Sequence, residues 1–209
     1  GSGRLRGNAG RGDLGTSSFS VAGSQKRGSL SGAASLGRSK TDNEGRNADF
    51  RSDLVAASFE QRFNPDASIL GSFRLNTSDG GTPGPTAFGR PDLDARYERD
   101  LLIASLASHF RSGSVSHSAR VGFKSDDQLS TNPLDSGSYL PAYGSQSAAF
   151  DSYDFPDPSG YRNETDRLFG TYEIRGRIRS HSLTAGGDIE RETGRLGTVG
   201  EAPLSPRRV

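Results

Sequence analysis

The sequence predicts an all-β chain: part of an antiparallel, up-and-down transmembrane β-barrel of about eight or nine strands. Three observations predict it. In seven stretches every second residue is apolar or small and uncharged, while the residues between carry the Arg, Glu, Asp and Ser. Short turns and long polar connectors alternate strictly along the chain. And the composition, with 31% hydrophobic residues, 28 Gly and no Cys, Met or Trp in 209 residues, is too poor in large apolar side chains for a soluble core of this length. A membrane barrel needs only one apolar face, so it is the ordered architecture that fits such a composition.

In chain order the stretches are 19–25, 30–36, 55–63, 69–77, 102–110, 115–123 and 168–178, with 183–189 a weaker eighth. Period-two alternation is the pattern of a pleated strand whose two faces meet different media. The connectors follow in pairs. Lys26-Arg27-Gly28 is short and 38–52 is long; Asn64-Pro65-Asp66-Ala67 is short and 78–99 is long. Arg111-Ser112-Gly113 is short and 124–165 is very long, and Arg179-Ser180-His181 is short again. The short connectors carry Gly for positive φ, or Asn-Pro-Asp for a type I turn. A soluble sandwich has no reason to gather its long loops on one side. An outer-membrane barrel does, with tight periplasmic turns and long extracellular loops.

The two faces separate cleanly. One holds Phe19, Val21, Leu36, Val55, Phe59, Phe73, Leu106, Val121, Leu168 and Ile174, and the other Glu60, Arg62, Arg74, Arg120, Arg167, Glu173 and Asp188. An Arg or Lys on the lipid face near mid-bilayer costs about 2–4 kcal/mol, which accounts for their absence there. The apolar face also carries Gly23, Gly32, Gly71, Gly170, Gly176 and Gly187. Such glycines would leave voids in a close-packed core, whereas lipid tails are expected to fill the gaps. Two features fit less well: His117 falls on the lipid-facing parity near a turn, and Leu101 and Ile103 are apolar on the opposite parity.

A formal net charge of +1 gives no electrostatic case for a nucleic-acid partner, and the lack of Cys removes disulfide, thiol and zinc-cluster chemistry. No run approaches the roughly 18 apolar residues of a transmembrane helix. An exported barrel needs a signal upstream of Gly1, so the chain is expected to be a fragment.

At this point the residues resemble TonB-dependent outer-membrane receptors, of the vitamin B12 and siderophore type, at the first part of the barrel. Gly1-Ser2-Gly3-Arg4-Leu5-Arg6-Gly7 resembles the first strand after the plug domain. Thr41-Asp42-Asn43-Glu44 with Ala48-Asp49-Phe50-Arg51 is similar to the next loop and strand start, and Ser78-Asp79-Gly80-Gly81-Thr82-Pro83-Gly84-Pro85 with Asp94-Ala95-Arg96 and Arg99-Asp100-Leu101-Leu102 to the one following. Leu183-Thr184-Ala185-Gly186-Gly187-Asp188-Ile189-Glu190-Arg191-Glu192 looks like a later strand. The resemblance covers about 1–195, leaving 196–209 as an irregular or truncated tail. It implies active import of a scarce ligand, cobalamin or a ferric siderophore, at the outer membrane of a Gram-negative bacterium. The plug and the energy-coupling box would precede Gly1, so TonB would be met only through that missing region. Such barrels have about 22 strands, more than this chain supplies.

The connector 124–165 concentrates aromatics: Tyr139, Tyr143, Phe150, Tyr153, Phe155 and Tyr161. Aromatics among small polar residues make adaptable binding surfaces, so these six are the candidate ligand-binding residues, with packing within the loop as the alternative. Asp126, Asp127, Asp135, Asp151, Asp154 and Asp157 offer oxygen ligands without EF-hand spacing, and no metal site or cofactor is assigned. Arg74, Arg120, Glu173 and Arg175 are expected to pair across strands or meet a plug. His109, His117 and His181 are scattered, and no catalytic constellation is found, so the chain is read as a binding and transport protein, not an enzyme. The Arg-Gly-Asp triplet at 11–13, the glycosylation-like triplets at 76 and 163, and the glycines of 1–15 carry no function of their own. The alternatives are a passive porin or adhesin barrel and a disordered Gly/Arg/Ser-rich RNA-binding segment, against which the balanced charge and the sorted faces argue.

Overall fold

Alternating polar and apolar residues with Gly at the turns give strands, and the computed structural model contains strands alone among its described residues: 1–84, 92–134, 142–143, 146–147 and 157–199. In order these are β1 (Ser2–Arg11), β2 (Ser17–Arg27), β3 (Leu30–Thr41), β4 (Phe50–Asn64), β5 (Ala67–Gly81), β6 (Arg96–Ser112), β7 (Val115–Asn132), the two-residue strands β8 (Ala142–Tyr143) and β9 (Gln146–Ser147), β10 (Asp157–Ile178) and β11 (His181–Thr198). Nine of them form one sheet in the order β1-β2-β3-β4-β5-β6-β7-β10-β11, while β8 and β9 pair only with each other. Every neighbouring pair in the nine-stranded sheet is antiparallel. This is an up-and-down meander, a barrel wall whose two edge strands, β1 and β11, are not joined to one another.

At one end the strands are joined by the two-residue turns 28–29, 65–66, 113–114 and 179–180. At the other they are joined by 12–16, 42–49, 82–95 and 133–156, which lengthen steadily along the chain. Gly28 and Gly113 hold φ of 60° in their turns, the left-handed backbone that Gly adopts without a side-chain clash.

The register keeps the two faces separate across the sheet. One cross-strand row runs Leu5, Gly23, Ala34, Ala57, Phe73, Ala104, Phe123, Leu168, and reaches a charge only at Arg191 on the edge strand β11. The adjacent row runs Arg6, Ala22, Ser35, Ala56, Arg74, Ile103, Lys124, Arg167, Glu192. A slip of one residue in any pair would exchange the faces, so the alternation itself fixes the pairing. The polar face is concave: Glu60 and Leu70 from β4 and β5 bound the same open trough of ≈ 890 Å³ as Arg120, Glu173 and Asp188 from β7, β10 and β11. The apolar face is therefore convex, and Val55, Phe59, Leu106, Val121 and Leu168 on it are 46–57% exposed. Among the described residues Ala95 is the only hydrophobic side chain that is buried. The sheet has no core of its own.

The strands differ from the sequence expectation in length. Except in β2, where the stretch is centred, each alternating stretch lies toward the turn end of its strand, and the strand continues beyond it toward the long connectors: β7 runs to Asn132 past the expected 123, and β10 starts at Asp157 ahead of 168. The last strand likewise reaches Thr198, past the boundary expected at 195. In these extensions both faces are polar, so backbone pairing persists where no apolar medium imposes a period of two. Ile103, which looked misplaced on the polar face, pairs with Arg74 on β5 and Lys124 on β7, whose methylene stems suit an apolar neighbour. His117, the polar residue on the apolar face, is 2.6 Å from the Tyr172 hydroxyl and stands beside the Phe110 ring, with centroids 6.0 Å apart.

Part of the space over the convex-face glycines is closed from within the sheet. The space over Gly71 is occupied by the Phe59 ring from the neighbouring strand, and that over Gly170 by Ile189, 3.3 Å from where a Cβ would lie. Aromatic covering of a strand glycine is a known way to restore packing on a sheet face. Only Gly187, among the six, faces open space. Gly71→Ala should therefore push Phe59 off its rotamer and destabilise the sheet by about 1 kcal/mol, while Gly187→Ala should stay within about 0.5 kcal/mol of the parent. Denaturant titration of the two variants in detergent checks the contrast.

Candidate ligand face and loop rim

The long connectors start from a rim that is built from their own polar residues. Asp92 turns the chain back by accepting hydrogen bonds at Oδ1 from the Asp94 and Ala95 amides, at 3.0 and 2.9 Å, the local closure that makes Asp a turn former. The Ala95 carbonyl then accepts from Asn47 Nδ2 at 2.8 Å and from the Thr82 amide at 3.0 Å. Arg96 reaches both oxygens of Asp49, at 2.8 and 3.1 Å, and Asp79 at 3.3 Å. Asp94 accepts from the Leu134 amide at 2.9 Å. Connectors 42–49 and 82–95 are thus stitched together, and the first residues of connector 133–156 are tied to the same base. Asp92 (6% exposed), Ala95 (8%) and Asp126 (8%) are the most enclosed non-glycine residues among those described, and they lie at this rim.

A second ion-pair group continues the rim along β6 and β7. Arg99 donates from Nε and from a terminal nitrogen to the two oxygens of Asp126, each at 2.7 Å, and Lys124 Nζ lies 3.1 Å from Asp126. The forked geometry matches guanidinium to carboxylate and is the strong form of such a pair. The Arg99 hydrogen bonds, opposed by burial and helped by Lys124, hold the Asp126 carboxyl down to about 2. Arg96 in the same way keeps Asp49 below the usual carboxylate range, against its partial burial. Asp127 pairs with Arg162 at 2.9 Å. Three of the carboxylates considered as oxygen ligands are therefore already engaged: Asp126, Asp127, and Asp157, which accepts from the Gly160 amide at 3.1 Å. No group of His and acidic side chains suited to a metal ion occurs among the described residues.

Of the six aromatic candidates, Tyr139, Phe150, Tyr153 and Phe155 lie outside the described residues. Tyr143 is in β8, of which the backbone alone is described. Tyr161 is not in a loop: it sits in β10, in register with Ser130 of β7 and Thr198 of β11, and is 43% exposed. It stands near the start of the wall below the connector that carries the other five.

The concave face supplies the remaining chemistry. Glu173 and Arg175 pair along β10 at 3.0 Å, and Arg167 pairs with Glu190 across to β11 at 2.5 Å. Of the four charges expected to pair across strands or meet a plug, Glu173 and Arg175 pair along one strand, and Arg74 and Arg120 have no carboxylate within ion-pair distance among the described residues. Arg4 and Arg6 line a trough floored by Ala22, Ala33, Ala56 and Ser58. The rim pairs were not found from the sequence because they join residues far apart in it, such as Arg96 and Asp49. The one local signal was Asp92-Leu93-Asp94, a spacing suited to closing a turn.

Such a sheet, apolar and convex outside, polar and concave inside, with every long connector at one end, is part of a β-barrel wall. No family model matches the chain, and no curated protein matches it in sequence. Among solved structures it is similar to the siderophore receptor PiuA from Acinetobacter baumannii, with a TM-score of 0.64 and 12% identity over 93% of this chain and 31% of that one. The likeness is one of fold, and the chain spans about a third of that receptor's length.

Proposed function

We propose that the chain is part of the barrel wall of a TonB-dependent outer-membrane receptor, with residues 1–195 contributing wall, that imports a scarce ligand. A ferric siderophore is the first choice of ligand, and cobalamin the second. The observation that supports this reading is the fit of 93% of this chain, with its nine-stranded sheet, onto 31% of the chain of a siderophore receptor. A small barrel would need a more tightly curled wall, because diameter grows with strand number. The polar concave face and the rim-anchored connectors suit a wide lumen opening onto a ligand-catching surface. In this reading the aromatics Tyr139, Tyr143, Phe150, Tyr153 and Phe155 meet the ligand outside the membrane, and Tyr161 supports their connector from below. A plug and its TonB contact would belong to sequence outside this chain.

The test is uptake by cells that carry the reading frame containing this chain and lack other receptors of the kind. Labelled ferric siderophore, or cobalamin, should enter, and entry should cease when a protonophore dissipates the proton gradient. Entry that persists under the protonophore would assign the wall to a passive porin. Failure to take up either ligand would remove the receptor reading.

A further inference from the structure

Two basic residues on the concave face lack an acid although their surroundings are complete. Arg74 on β5 and Arg120 on β7 stand on interior strands with both neighbouring strands in place, and both are exposed. Arg74 is in register with Ala56 and Ile103, and no residue diagonal to it on β4 or β6 is acidic. Arg120 is in register with Ala107 and Thr171, and the acid diagonal to it, Glu173, is held by Arg175 at 3.0 Å. Arg4 and Arg6 differ, because they lie on the edge strand β1, where a further strand of a longer wall can pair them.

The register gathers these cations around one point. Ser105 on β6 is in register with Ser72 on β5 and Gly122 on β7, and its diagonal neighbours are Leu70 and Arg74 on one side and Arg120 and Lys124 on the other. Diagonal neighbours lie about 7–8 Å apart, within reach of long side chains. Three of these four corners are cationic and none is acidic. The Ser72 and Ser105 hydroxyls are 2.8 Å apart at the centre, and the Phe169 ring lies over Gly122 beside them. Lys124 shares Asp126 with Arg99, so that carboxylate is already held from its far side. We infer that this bay binds a small molecule bearing several anionic oxygens, such as carboxylates, with Arg74, Arg120 and Lys124 meeting the oxygens above the Ser72–Ser105 pair. Charge complementarity selects the occupant, since guanidinium and ammonium groups form their strongest hydrogen bonds with oxyanions. The convergence of three cations on one hydroxyl pair fits a small molecule better than a broad protein surface. The site itself rests on the fold; that its occupant is the imported ligand rests on the receptor reading.

The test uses the 209-residue chain in lipid bilayers with a nitroxide label on Ser105→Cys or on Ser35→Cys, a concave control whose neighbours on β2 and β4 are uncharged. Collisions with chromium oxalate, a trivalent anion, are compared with those of a neutral nickel chelate. At low salt the anion-to-neutral ratio should be about fivefold higher at 105 than at 35. Citrate should lower that excess at matched ionic strength. Arg74→Gln with Arg120→Gln should remove most of it, while an unchanged collision rate of the neutral chelate shows that the double variant keeps its fold. Equal ratios at the two sites, or an excess retained by the double variant, would overturn the inference. An excess that citrate leaves unchanged would also overturn it, and would assign the cations to an acidic protein surface instead. None of these outcomes touches uptake under a protonophore, which tests the receptor reading separately.

Discussion

Ala57→Arg should weaken the sheet's insertion in a bilayer by about 2–4 kcal/mol, whereas Ser58→Arg, one residue along, should change it by well under 1 kcal/mol. Ala57 belongs to the convex row, between Ala34 on β3 and Phe73 on β5. It lies within the alternating stretch of β4, at the midpoint of the strand, so a guanidinium there meets hydrocarbon with no carboxylate in the row to pair it. Ser58 pairs with Ala33 and Ser72 and lines the concave trough, where water solvates a charge. The two substitutions add the same charge and nearly the same volume. Only the face differs. Reversible release from phospholipid vesicles by urea measures both, and similar losses for the pair would mean that the faces do not meet different media.

Acid should loosen the rim before it disturbs the wall. Asp126 titrates at about 2 in the folded chain, below its ordinary 3.8, because Arg99 and Lys124 stabilise its charged form. A carboxylate with a lowered folded pKa contributes stability that is fully present above about 3.8 and is lost as pH falls through about 2. The shift corresponds to about 2 kcal/mol, discounted to about 1–2 kcal/mol because Arg99 and Lys124 are each about a third exposed. Asp126→Asn should remove this pH dependence and carry a similar loss at neutral pH, since the cations would then lack their partner. Protection factors of the β6 and β7 amides near Arg99 and Asp126, that is, exchange rates taken relative to the intrinsic rate at each pH, would show it: lower protection at pH 2 than at pH 5 in the parent and no such fall in Asp126→Asn. An equal fall in both would assign the acid response to other groups.

The wall was legible in the sequence where lipid imposes a pattern. Val55, Ala57 and Phe59 alternate with Ala56, Ser58 and Glu60 because one face must exclude charge, and the register then follows. The strand extensions were not legible. In Asp126–Asn132 and in Asp157–Thr165 both faces are wet, so no period of two marks them, and Tyr161 accordingly reads as loop in the sequence while it pairs within the sheet. The rim was invisible for another reason: Asn47, Asp49, Asp79 and Arg96 come together only through strand register. The glycine rows were legible as a sign of a sheet face, but the Phe59 ring over Gly71 shows that side chains from the next strand close part of the gap assigned to lipid tails.

The most direct test of the two-faced wall uses the absence of native cysteine in this chain. Single cysteines placed in turn at residues 102–107 of β6, each carrying a nitroxide label in lipid bilayers, would report collisions with apolar oxygen and with a water-soluble nickel chelate. A lipid-facing convex row predicts oxygen maxima at 102, 104 and 106 and nickel maxima at 103, 105 and 107. Collision profiles without that alternation, or with the two phases exchanged, would contradict it.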